Sequence, residues 1–256
     1  MPFVGMLAVL LVAFSTAAKA TNELSDAEVQ GRQLAHQLCE ARPAGSFTNT
    51  GILLIRNSKG GTIKVPVDCV VLVSQTNWIT FYKASRLEGS FHSEGSHFTD
   101  SFTSIFPIEI THFRDRLSVY KFKFPDPEPS VLITNLFTPF AGSDFWLCDL
   151  GLEFFHWPGQ KILKHEMRRG RSCRVLESTN PNPSPNGYSR VVSWIDNETS
   201  GIVQAEAYDA KGNLLKEFYP KDFKKVSGQW RVASMEINND RTGSRTRLEF
   251  NTKLSD

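Results

Sequence analysis

The sequence predicts a mainly β (α+β) fold: a curved, partly closed antiparallel barrel of about a dozen strands, with an N-terminal helix and a short central helix packed on its concave side. Three observations predict it. Apolar residues recur first at helical spacing, between Leu24 and Cys39. From Gly51 onward the dominant period becomes two. From Tyr188 to Phe250 the runs are joined by connections too short for a parallel crossover, which needs about a dozen residues, so successive strands are antiparallel neighbours. A sheet that wide curls, closes or splits in two.

The first twenty residues stand outside this pattern. Phe3 to Phe14 is an apolar run shorter than the ~20 residues of a spanning helix. Ala18-Lys19-Ala20 follows as an A-x-A site, so residues 1–20 are expected to be a signal peptide, with residues 21–256 as a single domain. Met1-Pro2-Phe3-Val4 carries no basic residue, which keeps an uncleaved anchor as the alternative. Ser25-Asp26-Ala27-Glu28 then has capping-box form, and Leu34, Ala35 and Leu38 continue one helical face until Arg42-Pro43 ends it. Such a face fits packing against a sheet better than docking a partner.

Ile63, Val65, Val67, Cys69, Val71 and Val73 share one face of a strand of about twelve residues, twice the usual length. Pro66 points to an edge or a bulge there, and Lys59-Gly60-Gly61-Thr62 to a hairpin turn. Trp78 to Tyr82, Leu117 to Phe124 and Val131 to Phe137 read as strands, the last two divided by Pro125-Asp126-Pro127-Glu128-Pro129. Ser85 to Ser104 reads as a loop. Gly142 to Leu150 reads as a short helix capped by Ser143 or Asp144, with Phe145, Cys148, Asp149 and Leu152 at helical spacing. Strands resume at Ile162 and Cys173 around Gly170. After the Pro/Asn loop of residues 180–187 comes a five-strand meander with turns at Asn197–Gly201, Asp209–Gly212, Ser227-Gly228 and Asp240–Gly243.

Charge and motifs narrow the function. With 29 Lys and Arg against 27 Asp and Glu, the chain lacks the basic excess of a nucleic-acid coat, and no nucleic-acid partner is expected. No G-x-S-x-G, H-E-x-x-H or P-loop sequence occurs, so no catalytic residue, metal or cofactor is expected. His92 and His97, with Glu94 between them, read as part of a solvated loop. The four cysteines, Cys39, Cys69, Cys148 and Cys173, allow three complete pairings and match no zinc spacing. Export permits disulfides, whereas the place of Cys69 in the apolar stripe favours buried thiols. Arg168, Arg169, Arg171 and Arg174 cluster in a hairpin, either as a basic rim that meets lipid phosphates or an acidic partner, or as a solvated edge.

The order of these features resembles the outer-membrane lipoprotein-sorting proteins of the LolA/LolB-like superfamily. The resemblance lies in the export signal, the helix at Leu24–Cys39, and the GSDFW…DL segment at Gly142–Leu150. It continues in Tyr188-Ser189-Arg190-Val191-Val192-Ser193-Trp194-Ile195-Asp196, Ala207-Tyr208-Asp209, Leu214-Leu215-Lys216 and Arg241-Thr242-Gly243. It covers Phe140 to Phe250 and, more loosely, the chain back to Leu24. It implies an unclosed antiparallel barrel with a helical lid over an apolar cavity for lipoprotein acyl chains. The implied location is the periplasm, with inner- and outer-membrane sorting components as partners. Ile63, Val65, Val67, Val71 and Val73 are then expected to form part of a cavity wall for lipid. The competing class is a periplasmic interaction module with a filled concave face and no lipid cargo; a hydrolase is a distant third.

Overall fold

The computed structural model describes residues 24–85, 106–226 and 229–251. The expected signal peptide, the loop expected from Ser85 to Ser104 apart from Ser85 itself, and the pair His92 and His97 lie outside them.

Helix α1 spans Asp26–Glu40 and starts where its side chains satisfy the free amides of the first turn. The Ser25 amide donates to Glu28 Oε2 at 2.8 Å, and Ser25 Oγ accepts from the Glu28 amide at 3.4 Å. Among the described residues thirteen strands follow, all antiparallel to their neighbours. They are β1 (Phe47–Arg56), β2 (Thr62–Val73), β3 (Trp78–Ala84), β4 (Ile108–His112), β5 (Val119–Phe122), β6 (Val131–Leu132), β7 (Gly159–Arg168), β8 (Arg171–Thr179), β9 (Arg190–Asp196), β10 (Ile202–Tyr208), β11 (Leu214–Val226), β12 (Gln229–Asn239) and β13 (Ser244–Phe250). Their order is β6-β5-β4-β3-β2-β1-β13-β12-β11-β10-β9-β8-β7. Every ladder but one joins strands consecutive in sequence; the exception is β1 on β13, from Gly51 opposite Phe250 to Arg56 opposite Arg245. The sheet is curved and unclosed, with β6 and β7 as its two edges.

Local chemistry explains the turns and the place of Pro66. Arg169 (φ 49°) and Gly170 (φ 76°) join β7 to β8 with two successive left-handed residues, the geometry that matches strand twist in a two-residue hairpin. Pro66 is not at a bulge; β2 lies between β1 and β3, but its ladder with β3 ends at Val67 opposite Ala84, so Pro66 stands where that side becomes a local edge. Its carbonyl accepts from the Ser85 amide at 2.8 Å, so its nitrogen, which has no hydrogen to donate, faces the side where β3 has just ended.

Between β6 and β7 the chain leaves the sheet and crosses its concave face as a strap, residues 133–157. It holds one helical turn, α2 (Leu147–Leu150), and a 3-10 turn (Glu153–His156). Ser143 and Asp144 do not cap α2. Trp146 is its N-cap, and Asp149 accepts from the Trp146 amide at 2.8 Å. The helical spacing to Leu152 is not realised either, because Leu152 turns left-handed (φ 51°) and breaks the run.

Two clusters of buried apolar residues lie beneath the strap, and a third, of Cys173, Val175, Val192 and Trp194, lies apart from it. Under its first half, Phe140, Ala141, Phe145 and Leu147 pack on Leu53, Val65, Val67, Ile108, Ile110, Ile237 and Leu248. Under its second half, Phe154, Phe155 and Trp157 pack with Leu34 and Ala35 of α1 on Ile162, Leu176, Val191, Ile195 and Ala205. Helix α1 approaches β7 closely at Gly31, where an added Cβ would lie 2.5 Å from the Lys161 backbone nitrogen.

Candidate functional site

The strap is tied to the sheet by a buried polar node. Asp144 Oδ1 accepts from Ser244 Oγ (2.6 Å) and Asn239 Nδ2 (3.1 Å), and its Oδ2 accepts from Thr246 Oγ1 (2.8 Å). These partners stand at the β12–β13 turn, so this aspartate fixes the strap to one end of the sheet. Lys216 of β11 reaches in from below. Its Nζ donates to the Asp144 carbonyl at 2.5 Å, lies 3.7 Å from Asp149 Oδ2 and sits 3.4 Å over the Trp146 ring. Tyr188 donates its hydroxyl to Asp149 Oδ1 at 3.0 Å and stacks on Trp146 with ring centroids 4.7 Å apart.

Burial sets the protonation chemistry of this node. It pushes Lys216 down to about 8, against the pull of Asp149, and pushes Asp149 upward, against the pull of Lys216. Tyr188 is held well above its ordinary value by burial and by the neighbouring Asp149 carboxylate.

A second titratable group sits where the strap turns toward β7. Glu153 is buried, accepts from the Tyr120 hydroxyl at 3.0 Å and is pushed up to about 7 by burial. Gly151 makes room for that hydroxyl, since a Cβ there would meet it at 2.0 Å. On β4, His112 is pushed down to about 4 by burial, contacts Thr80 Oγ1 at 3.1 Å and stacks on Trp78. All four cysteines are free. Burial pushes Cys39 up to about 12 and Cys69 to about 11, and raises Cys148 and Cys173 as well, so each is a thiol at neutral pH and none is primed as a nucleophile. Among the described residues no group of three or more His, Cys, Asp and Glu could hold a metal ion.

Beside Lys216 and Asp149, Val191, Ala205 and Phe218 help line a cavity of about 20 Å³, room for one water. A larger groove of about 440 Å³ lies outside the strap, between the β1–β2 and β12–β13 turns. Arg56, Asn57, Asn238 and Arg245 line it, so its walls are polar.

Of the residues expected to wall a cavity, Val65, Val67 and Val71 are buried, and Ile63 and Val73 are half-buried on the same face of β2. Val65 and Val67 pack in the cluster beneath Phe140 and Phe145, and none of the five lines the small cavity. The four arginines are spread over separate partners. Arg168 donates to Gln204 (2.9 Å) and Glu206 (3.2 Å) and covers Trp194; Arg169 stacks on Tyr219; Arg171 pairs with Glu198 at 3.2 Å. Arg174 has a buried Nε without a partner. Sequence reasoning did not single out Lys216, Asp149 or Asp144 as a site. The signal was nevertheless present, because the stretches GSDFW…DL, Tyr188 onward and Leu214-Leu215-Lys216 all meet at this node.

The chain has the fold of LolA-type proteins. It superposes on a DUF1329 family protein from Desulfovibrio piger with a TM-score of 0.67 at 18% identity, covering 91% of this chain and 96% of the other. A domain from Vibrio parahaemolyticus described as an outer membrane lipoprotein-sorting protein gives 0.67 at 21% identity, over 90% and 95% of the two chains. A LolA superfamily protein from Nitrosomonas europaea gives 0.59 at 16% identity, over 91% and 95%. A protein-family model described as "Uncharacterized protein" matches residues 131–254, from β6 through the strap to the end of the meander. No curated protein matches the sequence. Among the described residues no helix is long and apolar enough to cross a membrane.

Proposed function

We propose that this chain is a periplasmic carrier of the lipoprotein-sorting kind, which shields acyl chains of a lipoprotein or another lipid on the concave face of its sheet. In this reading residues 1–20 direct export and are removed, and residues 21–256 act as one unit between inner- and outer-membrane sorting components. One observation carries it: a wide curved sheet has its apolar face covered by a non-strand strap and a helix, layers that can part without unzipping a ladder. The fold shared with a lipoprotein-sorting domain supports the same reading.

The geometry adds a condition. Pockets for ligands of this size run to about 300–1,000 Å³, whereas the cavity here is about 20 Å³. The strap therefore has to move before cargo enters, and Ile63, Val65, Val67, Val71 and Val73 become wall only once it has. The filled concave face favours a second reading, an interaction module on the same scaffold with no lipid cargo. Neither reading assigns a catalytic role. Native mass spectrometry of protein purified from the periplasm, with uptake of a fluorescent fatty acid, separates them. The carrier reading predicts co-purified lipid and saturable uptake; absence of both leaves the interaction module.

A further inference from the structure

The β11–β12 hairpin outruns the strands on both sides of it. Pairing of β11 with β10 stops at Ala205 opposite Phe218, and pairing of β12 with β13 stops at Ser234 opposite Glu249. Beyond these points, among the described residues, residues 223–226 and 229–232 pair only with each other, Phe223 opposite Val232 and Lys224 opposite Arg231. Register shifts on both sides of Asp222 mark a bulge at the base of this ribbon, where twist increases.

Its composition is basic with one exposed aromatic ring. Residues 221–225 are all exposed, and Phe223 is 54% exposed. Pro220 to Val226 carries three lysines against one aspartate, an excess of +2 that equals the formal net charge of the whole chain. The aspartate is drawn back toward the base, where Asp222 Oδ2 accepts from Ser234 Oγ at 2.6 Å. Lys221 lies near the base too, 3.9 Å from Glu236. Lys224 and Lys225 have no carboxylate partner among the described residues. A two-stranded ribbon offers no groove to grip a side chain. Lys224 and Lys225 follow Phe223 on alternate faces of the ribbon, and an exposed phenyl ring with two ammonium groups beside it suits a flat anionic surface whose boundary is apolar.

We propose that this ribbon docks the protein on a bilayer surface bearing anionic lipid headgroups, with Lys224 and Lys225 meeting phosphates and Phe223 entering the headgroup boundary. This surface is separate from the concave face, and docking does not depend on acyl cargo. The test is co-sedimentation of the full chain with vesicles of phosphatidylcholine alone or mixed with phosphatidylglycerol. Binding is expected only to the mixed vesicles and should fall as salt rises. Lys224→Gln/Lys225→Gln should weaken it about 25-fold, at about fivefold per lysine, and Phe223→Ser should weaken it several-fold. Both variants should keep the wild-type thermal unfolding curve and fatty-acid uptake. Lys59→Gln/Lys211→Gln, which removes two exposed lysines elsewhere, should change binding less than twofold. The proposal is overturned if the wild type does not bind mixed vesicles, which would leave an acidic protein as the ribbon's partner. It is equally overturned if the ribbon and control variants lose binding alike.

Discussion

The two halves of the concave face are covered by the same strap but held in different ways. Over β1–β4 the contact is almost wholly apolar, with Phe140, Phe145 and Leu147 pressing on Leu53, Val67, Ile108 and Ile110, while at the β12–β13 end Asp144 adds hydrogen bonds to Asn239, Ser244 and Thr246. Over β7–β11 the strap packs as tightly, yet it also carries the pair of Lys216 and Asp149 with Tyr188 and Trp146 around it. Apolar burial stabilises in proportion to area and tolerates sliding. A buried cation that must meet one carbonyl and one carboxylate tolerates very little. The apolar contacts over β1–β4 therefore supply adhesion, and the polar contacts of Asp144, Lys216 and Asp149 fix where the strap sits. Ala141 (φ 52°) and Leu152 (φ 51°) hold left-handed backbone at either end of the segment between them, so the strain lies at its two ends.

This contrast can be broken at several strengths. Phe145→Ala empties the apolar half and should cost about 3–5 kcal/mol in urea unfolding, with loss of the edge contact to Phe218. Lys216→Met should cost somewhat less, about 3 kcal/mol, because Asp149, already raised by burial, can take up a proton. The double variant Lys216→Met/Asp149→Asn, which keeps an acceptor for the Trp146 amide and the Tyr188 hydroxyl, should recover much of that loss. If it does not, the pair positions nothing and the two halves are alike. Val67→Ala should cost about 1–3 kcal/mol if the first half is permanently filled, and less if that half opens.

The smallest effect is a pH dependence. Glu153 has its folded value raised to about 7, above that of the unfolded chain, so the folded state binds the extra proton and its stability falls as pH rises toward and through 7. Glu153→Gln should remove that slope and stabilise by about 1–2 kcal/mol at pH 8, with little change near pH 4. Lys216 runs the other way: its folded value of about 8 lies below its ordinary one, so stability should rise as pH passes from 8 toward 10.5. Thermal unfolding of wild type and Glu153→Gln across that range checks both signs.

Local period accounts for what could be read in advance. The cap at Ser25, the stripe from Ile63 to Val73, the hairpin at Gly170 and the C-terminal meander each follow from spacing within a dozen residues. Strand β4 alternates cleanly, with Ile108, Ile110 and His112 buried, yet it borders a Ser/Gly/His-rich stretch that hid it. Of the strap, only the short helix within Gly142–Leu150 was legible; the rest is neither helix nor strand, and a covering segment has no period. Lys216 was hidden for a different reason. A register shift between Ala207 and Tyr208 places Leu215 and Lys216 both in the interior, so simple alternation misassigns the face of one of them.

The central claim is that this strap opens to admit an acyl chain, and locking it tests that claim most directly. Asp144 and Thr246 touch through their side chains at 2.8 Å, so Asp144→Cys/Thr246→Cys, made in a Cys39→Ser background, places a reversible bond between strap and sheet. Fluorescent fatty-acid uptake should be abolished when that bond is oxidised and restored by reductant to at least the wild-type level. Equal uptake in both states would contradict the account.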